Sequence, residues 1–349
     1  MTICACYAAM APKSLLKPFK IERREPGAHD VVIEILYCGI CHSDVHQARD
    51  EWGHGIFPMV PGHEIVGRVS KVGADVLRFK VGEMVGVGCF VDSCRECQPC
   101  KQNLQQYCEK GMNQTYNGRD KAGDPTYGGY STRIVVDENY ILKIPSHLKP
   151  AAVAPLLCAG ITTWSPLKHW NVKANDKVAV LGLGGLGHMA VKLAAALGAE
   201  VTVFSTSISK EQDAKRLGAT HFALSKDDAV FKKYANYFDL IINTISADIN
   251  LGAYLGLLKL DATMVCVGAP EKPTLINSFP LIFKRRSLAG SLIGGIKETQ
   301  EMLDFCGQHN IVADIELISA DKINEAYERM LKSDVKYRFV IDTTSISNS

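Results

Sequence analysis

The sequence predicts an α/β chain of two domains, a β-rich, barrel-like one and a doubly wound parallel sheet. Three observations carry this. The 349 residues exceed what a single hydrophobic core ordinarily organises. Up to about residue 150, short alternating runs are punctuated by Gly and Pro. From Lys177 onward, apolar strands alternate with helical stretches.

Composition narrows the class. With 47% hydrophobic and 22% charged residues the chain is an ordinary globular protein, and a net charge of +2 with mixed signs excludes a nucleic-acid footprint. Twelve cysteines are too dilute for a disulfide scaffold, and four crowd into one loop, which points to metal binding in a reducing compartment. The apolar patch at residues 3–10 has no basic region before it, unlike a signal peptide. Pro155, Gly160 and Pro166 interrupt the longest uncharged stretch, so no membrane span is expected and the protein reads as cytoplasmic.

In chain order, residues 31–37, 65–72, 84–91 and 133–136 read as strands. Between the first two lies Cys38-x-x-Cys41-His42-Ser43-Asp44-x-His46, then Gly62-His63-Glu64, with another thiol at Cys158. Haem attachment at Cys38-x-x-Cys41-His42 goes with export, for which there is no signal, and Gly67 stands where a zincin needs its second histidine. A thioredoxin-like pair belongs at a strand-to-helix turn, and no helical partner is read here. Cys41, His63 and Cys158 instead make two thiolates and an imidazole, an open zinc set with a fourth position for water or substrate.

Cys94-x2-Cys97-x2-Cys100-x7-Cys108 offers four thiolates to one tetrahedral ion with no position left open, which makes a structural zinc site. The polar Arg95, Glu96, Gln98 and Lys101 argue against a cluster of core cysteines. An iron–sulfur run would place the fourth cysteine after three residues, followed by Pro.

Residues 178–181 read as a strand, Gly182-Leu183-Gly184-Gly185-Leu186-Gly187 as its turn, and 188–197 as a helix stopped by Gly198. Gly182 allows the tight turn, Gly184 the approach of a pyrophosphate, and Gly187 the packing of helix on strand. Five further strands read at 201–204, 221–224, 240–243, 264–268 and 288–293. Where an NAD enzyme places an acid at the end of the second strand, the chain has Ser205, Thr206 and Ser207, then Lys210. Glu200, the acid in range, begins the strand, roughly 16 Å away at about 3.3 Å per residue. Hydroxyls and a lysine suit a 2′-phosphate, so NADP(H) is expected.

After residue 295 a helix at 298–308, a strand at 314–318, a helix at 321–331 and a strand at 335–341 are expected to pack back onto the first domain. Ile323, Ala326, Tyr327, Met330 and Leu331 form the core face of the second helix. The tail 343–349 reads as disordered.

With these residues in view, the chain from about residue 5 to 342 resembles the zinc-dependent medium-chain alcohol dehydrogenases, most of all the cinnamyl alcohol dehydrogenase group and bacterial NADPH-dependent aldehyde reductases. The likeness includes Gly62-His63-Glu64, the four-cysteine lobe, the glycine turn, Ser205-Thr206-Ser207 and Val335-Lys336-Tyr337-Arg338-Phe339. It implies a GroES-like, partly open β-barrel catalytic domain (1–152 and 295–349) and a Rossmann dinucleotide-binding domain (153–294). It implies two zinc ions per chain: catalytic zinc on Cys41, His63 and Cys158, with Glu64 as neighbour or alternate ligand, and structural zinc on Cys94, Cys97, Cys100 and Cys108. Ser43 is the group that bonds the substrate oxygen, Asp44 stands behind the zinc ligands, and His46 ends a proton relay whose plain alternative is a solvated surface histidine. His42 faces the pyrophosphate and Thr162 the nicotinamide. A homodimer through the edge strand at 288–293 is implied too.

Gln114 stands where plant cinnamyl members carry a bulky Trp, so broad primary alcohols and aldehydes, aromatic ones included, are expected, with the enzyme acting as an aldehyde reductase. A quinone reductase of the same superfamily would lack the zinc ligands. A non-enzymatic zinc-binding member of the fold has no need of Ser43 or His46.

Overall fold

A computed structural model describes residues 2–270 and 273–346. The chain divides into two units, Met1–Ile161 with Gly294–Ser349, and Thr162–Ile293.

The first unit is β-rich. Strands β1 (Thr2–Ala8) and β2 (Lys17–Arg23) form an antiparallel hairpin of their own. The main sheet is organised by β3 (Asp30–Gly39), which is buried at seven of its ten positions. One edge of β3 pairs with β4 (Ile65–Val72), which leads to β5 (Met84–Val87). Strands β6 (Phe90–Asp92) and β7 (Asn113–Gln114) leave this sheet as a small pair at the base of the cysteine lobe. The run expected as one strand at 84–91 is therefore broken at Gly88 and Cys89, where Gly88 O accepts from Thr115 Oγ1 and an added side chain would press on Leu157 O. Strand β8 (Arg133–Asp137) covers residues 30–34 of β3, and β9 (Leu142–Lys143) closes on β5. Two register shifts between β3 and β4 bend the sheet, as closure toward a barrel requires.

The second unit is a six-stranded, wholly parallel sheet. Its strands are β10 (Lys177–Leu181), β11 (Glu200–Ser205), β12 (His221–Leu224), β13 (Phe238–Asn243), β14 (Leu258–Cys266) and β15 (Ser287–Gly290). They lie in the order β12-β11-β10-β13-β14-β15. This is a Rossmann sheet, and the order reverses beside β10, where the glycine turn leaves it. Its core includes Phe204, packed edge-on against Tyr234, Phe238 and Tyr254. Strand β14 starts at Leu258, earlier than the expected 264, and β15 ends at Gly290, short of the expected 293.

The C-terminal segment returns to the first unit. Strand β16 (Ile315–Ser319) runs parallel to β17 (Arg338–Asp342), with the helix Ile323–Leu331 as the crossover that a parallel pair needs. Strand β17 then pairs antiparallel with residues 37–39 of β3. Ile323, Ala326, Tyr327 and Met330 are buried as expected, whereas Leu331, at the helix end, is exposed. The expectation of a disordered tail fails for residues 343–346. Thr343–Ser345 form a 3-10 turn, the Thr343 hydroxyl donates to Ile35 O at 2.7 Å, and Ile346 is buried, so core contacts outweigh the polar composition. The rest of that expectation, residues 347–349, lies outside the described residues.

Candidate active site

Strand β3 ends at Gly39, and two residues later Cys41 caps the helix His42–Ala48. The cap is made by Asp44, whose Oδ2 accepts from Cys41 N at 2.8 Å. Cys38 and Cys41 thus do span a strand-to-helix turn, contrary to the sequence reading. The helix has only seven residues and three buried positions, too few for a visible period. What sets the segment apart from a redox pair is where its thiols point. The Cys38 thiol donates to Gly39 O at 3.6 Å, while Cys41 Sγ lies 3.9 Å from Cys158 Sγ. Cys158 ends the turn Ala154–Leu157, and His63 and Glu64 stand just before β4. His63 Nε2 lies 3.3 Å from Cys158 Sγ, and one donor atom from each of Cys41, His63, Glu64 and Cys158 lies within 4.8 Å of the others, all four residues being buried. Zn–S bonds of about 2.3 Å and Zn–N bonds of about 2.0 Å at tetrahedral angles give S···S near ~3.8 Å and S···N near ~3.5 Å. The cluster matches both spacings.

Charge around the cluster is arranged for a cation. Asp44, fully buried, accepts from His63 Nδ1 at 3.2 Å, which turns Nε2 toward Cys158. Burial alone would push the His63 imidazole down, but Asp44 holds it well above its usual value. Without an ion the two thiols share their protons unequally. The hydrogen bond from Cys158 holds Cys41 well below the thiol range, and Cys158 is held well above it by its contacts with Cys41 and Cys89. Burial raises Glu64 to about 7 against the pull of Arg338, whose guanidinium contacts Glu64 Oε1. Glu64 Oε2 has no hydrogen-bond partner among the described residues.

The four lobe cysteines form the second cluster, with donor atoms again within 4.8 Å and no disulfide among them. Cys94 Sγ is 3.9 Å from Cys100 Sγ, and Cys97 Sγ is 4.0 Å from Cys108 Sγ. Backbone N–H groups donate to sulfur, from Cys97 to Cys94 at 3.3 Å and from Cys94 to Cys108 at 3.4 Å. The backbone N–H groups of Glu96 and then of Cys97 hold the Cys94 thiol down at about 6, since they favour the thiolate.

The expected relay residues share the helix of Cys41. Ser43 Oγ lies 3.7 Å from Cys41 Sγ, while His46 turns its Nδ1 to Glu51 Oε2 at 2.5 Å and stacks on Trp52. His42 is exposed at the start of that helix. Gln114 sits on β7 opposite Phe90.

In the second unit, Gly182 has φ +89°, and a side chain on Gly187 would strike Gly182 O at 2.1 Å. A side chain on Gly184 would meet no protein atom, so internal packing does not demand that glycine, and the space before the turn is open. Gly185 and Leu186 continue into the helix Gly187–Ala196. Ser205 ends β11, Ser207 N donates to Ser205 Oγ at 3.2 Å, and Thr206 is exposed between them. Lys210 Nζ donates to Leu183 O at 2.9 Å, which brings the serine segment and the glycine turn together. Glu200 begins β11, where Tyr237 and His221 engage it. Thr162 is buried in the helix Ala159–His169.

Sequence reasoning missed the roles of Arg338, Glu51, Trp52 and three tyrosines near Asp44. Arg338 had a signal, a lone charge heading the apolar run 339–341. The tyrosines had none, because a buried Tyr in sequence reads as core.

Residues 27–146 match the model of the alcohol dehydrogenase GroES-like domain, and residues 185–308 that of the zinc-binding dehydrogenase. The chain is 58% identical over 347 residues, 99% of each chain, to NADP-dependent alcohol dehydrogenase C 1 of Mycolicibacterium smegmatis. It is similar to the solved structure of a cinnamyl alcohol dehydrogenase from Sorghum bicolor, with TM-score 0.97 and 42% identity over 100% of both chains. Against the Helicobacter pylori CAD complexed with NADP(H), the TM-score is 0.94 and the identity 45%, over 99% of each chain.

Proposed function

Because the chain belongs to the zinc-dependent medium-chain alcohol dehydrogenases, we propose that it interconverts primary alcohols and aldehydes, aromatic ones included, with NADP(H), and works as an aldehyde reductase. The observation that carries this is the buried donor set of Cys41, His63 and Cys158 at tetrahedral spacing, with the Ser43 hydroxyl beside it. Bound zinc supplies a Lewis acid for the substrate oxygen, and NADP(H) supplies or accepts the hydride.

The residues do the rest. Ser43 can donate and accept, so it exchanges a proton with the substrate oxygen. His46 carries that proton to solvent, and Glu51, by holding Nδ1, leaves Nε2 as the exchanging nitrogen. Arg338 compensates Glu64 so that the carboxylate stands near the ligands without an unpaired charge. The open space at Gly184 suits a pyrophosphate at the helix N-terminus, while Ser205, Thr206, Ser207 and Lys210 take the 2′-phosphate. In this reading His42 faces the pyrophosphate and Thr162 the nicotinamide. Residues 1–152 with 295–349 are the catalytic domain in this reading, and 153–294 the cofactor domain. Gln114 in place of a Trp keeps the substrate range broad. A scaffold that only stored zinc would have no use for this proton path.

The protein is read as a cytoplasmic homodimer. Strand β15 is an edge of its sheet, and Phe279, Ile282 and Phe283 near it are exposed, which suits edge-to-edge pairing of two copies. No described helix is long and apolar enough to cross a membrane.

Turnover of an aldehyde panel with NADPH and with NADH tests the proposal. A higher kcat/KM with NADPH is expected, and Ser205→Asp should move the preference toward NADH. A higher kcat/KM with NADH in the unmodified protein refutes the cofactor assignment, and no turnover of any aldehyde refutes the reductase.

A further inference from the structure

The Asp44 carboxylate is more elaborately held than a cap or a histidine partner requires. Its Oδ1 accepts from Gly62 N at 3.1 Å and from His63 Nδ1 at 3.2 Å. Its Oδ2 accepts from Cys41 N at 2.8 Å and from the Tyr130 hydroxyl at 3.2 Å. Tyr130 in turn accepts from the Tyr327 hydroxyl at 3.4 Å, so the helix Ile323–Leu331 feeds the same carboxylate. A third ring, Tyr116, lies against His63 with centroids 5.8 Å apart and planes 20° from parallel. Exposures are 0% for Asp44, 2% for Tyr116, 0% for Tyr130 and 5% for Tyr327. Burial, and then the charge on Asp44, push all three phenols well above their usual range, so Tyr130 keeps the proton it donates to Asp44 while its oxygen accepts from Tyr327.

We propose that Tyr130, oriented by Tyr327, is a positioning residue for the zinc site, its hydroxyl fixing the Asp44 carboxylate so that His63 keeps Nε2 turned toward Cys158. Oδ1 is held by Gly62 N and His63 Nδ1, whereas the only backbone donor to Oδ2 among the described residues is Cys41 N, at the start of Asp44's own helix, so a buried carboxylate with acceptor capacity to spare can turn with that helix and slacken its bond to Nδ1. A donor on Oδ2 from a different element opposes that twist. The same hydrogen bond draws charge from the carboxylate, which sets how strongly Asp44 polarises the imidazole and hence how good a ligand His63 is. A phenol that merely filled core space would need a partner for its hydroxyl, but not this one.

The inference rests on reading Cys41, His63 and Cys158 as a zinc site, and the experiment separates the two. Zinc-loaded wild type, Tyr130→Phe and Tyr327→Phe are titrated with a colorimetric chelator, and each is exchanged with cobalt for its visible spectrum. Phe keeps the ring and removes only the hydroxyl. Wild type should yield two zinc ions per chain. Tyr130→Phe should hold one of them about 10-fold more weakly, the lower end of what loss of an outer partner costs, with shifted cobalt bands and the other zinc unchanged. Tyr327→Phe should move both readouts the same way by less, and it carries the test should Tyr130→Phe not fold. Two zinc ions released as in wild type, with an unshifted cobalt spectrum in the variants, overturn the positioning role alone. A wild-type chain that binds a single zinc overturns the site reading beneath it.

Discussion

The four lobe thiols lie close in sequence, Cys94 and Cys108 being 14 positions apart, whereas Cys41 and Cys158 are 117 apart. In the lobe, backbone N–H groups of the same loop donate to the sulfurs, and two of the four cysteines are only half-buried. In the other cluster all four donors are buried, Asp44 on the helix of Cys41 reaches across to His63, and Arg338 compensates Glu64 from β17. A closed set of like donors can be shaped by a short loop. An open, mixed set must be enforced by a fold, because nothing local stops it from collapsing on its vacant position.

The comparison breaks most visibly at Cys158. Cys158→Ala should remove one zinc per chain and all measurable turnover while circular dichroism stays that of a folded protein. Retained activity would show that the open site is not the catalytic one. Ser43→Ala should cost about 10²–10⁴-fold in kcat, the range of acid–base contributions, and His46→Gln less, because water can stand in. Unchanged rates in both would exclude the relay.

Arg338→Met leaves Glu64 buried without its counter-charge, for which about 3–5 kcal/mol of stability is expected to be lost. Denaturant unfolding measures it. Glu64, already raised to about 7, should then stay protonated at neutral pH. In the lobe, Cys97→Ser should release one zinc and lower the Tm by about 5–10 °C, equivalent to about 2–3 kcal/mol, with turnover per folded molecule retained. Equal loss of activity in Cys97→Ser and Cys158→Ala would erase the distinction between the sites. Smallest of all is the exposed lobe pair Glu96–Lys110. Lys110 holds Glu96 below its ordinary value, so whatever the pair contributes is present above the usual carboxylate range and lost as pH falls through the lowered value. Glu96→Gln should leave the melting curve at neutral pH unchanged within error, and the acid side only slightly flatter.

Legibility in the sequence follows the same divide. The lobe, the glycine turn and the strands of the parallel sheet could be read directly, since each is a local pattern of spacing or period. The helix His42–Ala48 went unread because seven residues show little periodicity. The break at Gly88 and Cys89 was hidden within an apolar run, and the ends of β14 and β15 were misplaced, because pairing partners rather than composition decide where a strand stops. The order at Thr343 depends on Ile35, 308 positions earlier, and no local window contains both.

By itself, then, the sequence determined which chemistry is present: thiolates and imidazole in zinc-binding numbers, glycines at a strand-to-helix turn, and hydroxyls with a lysine but no acid at the end of β11. Tertiary structure alone decided that Cys41, His63 and Cys158 meet at bonding distance, that Asp44 rather than a nearer residue orients His63, that Arg338 answers Glu64, and that Lys210 reaches the glycine turn. The reason is physical. Residue type and short spacing set what a group can bind, but the burial that strips water from a carboxylate, and the partner that repays its charge, come from chain segments brought together only when the sheets close.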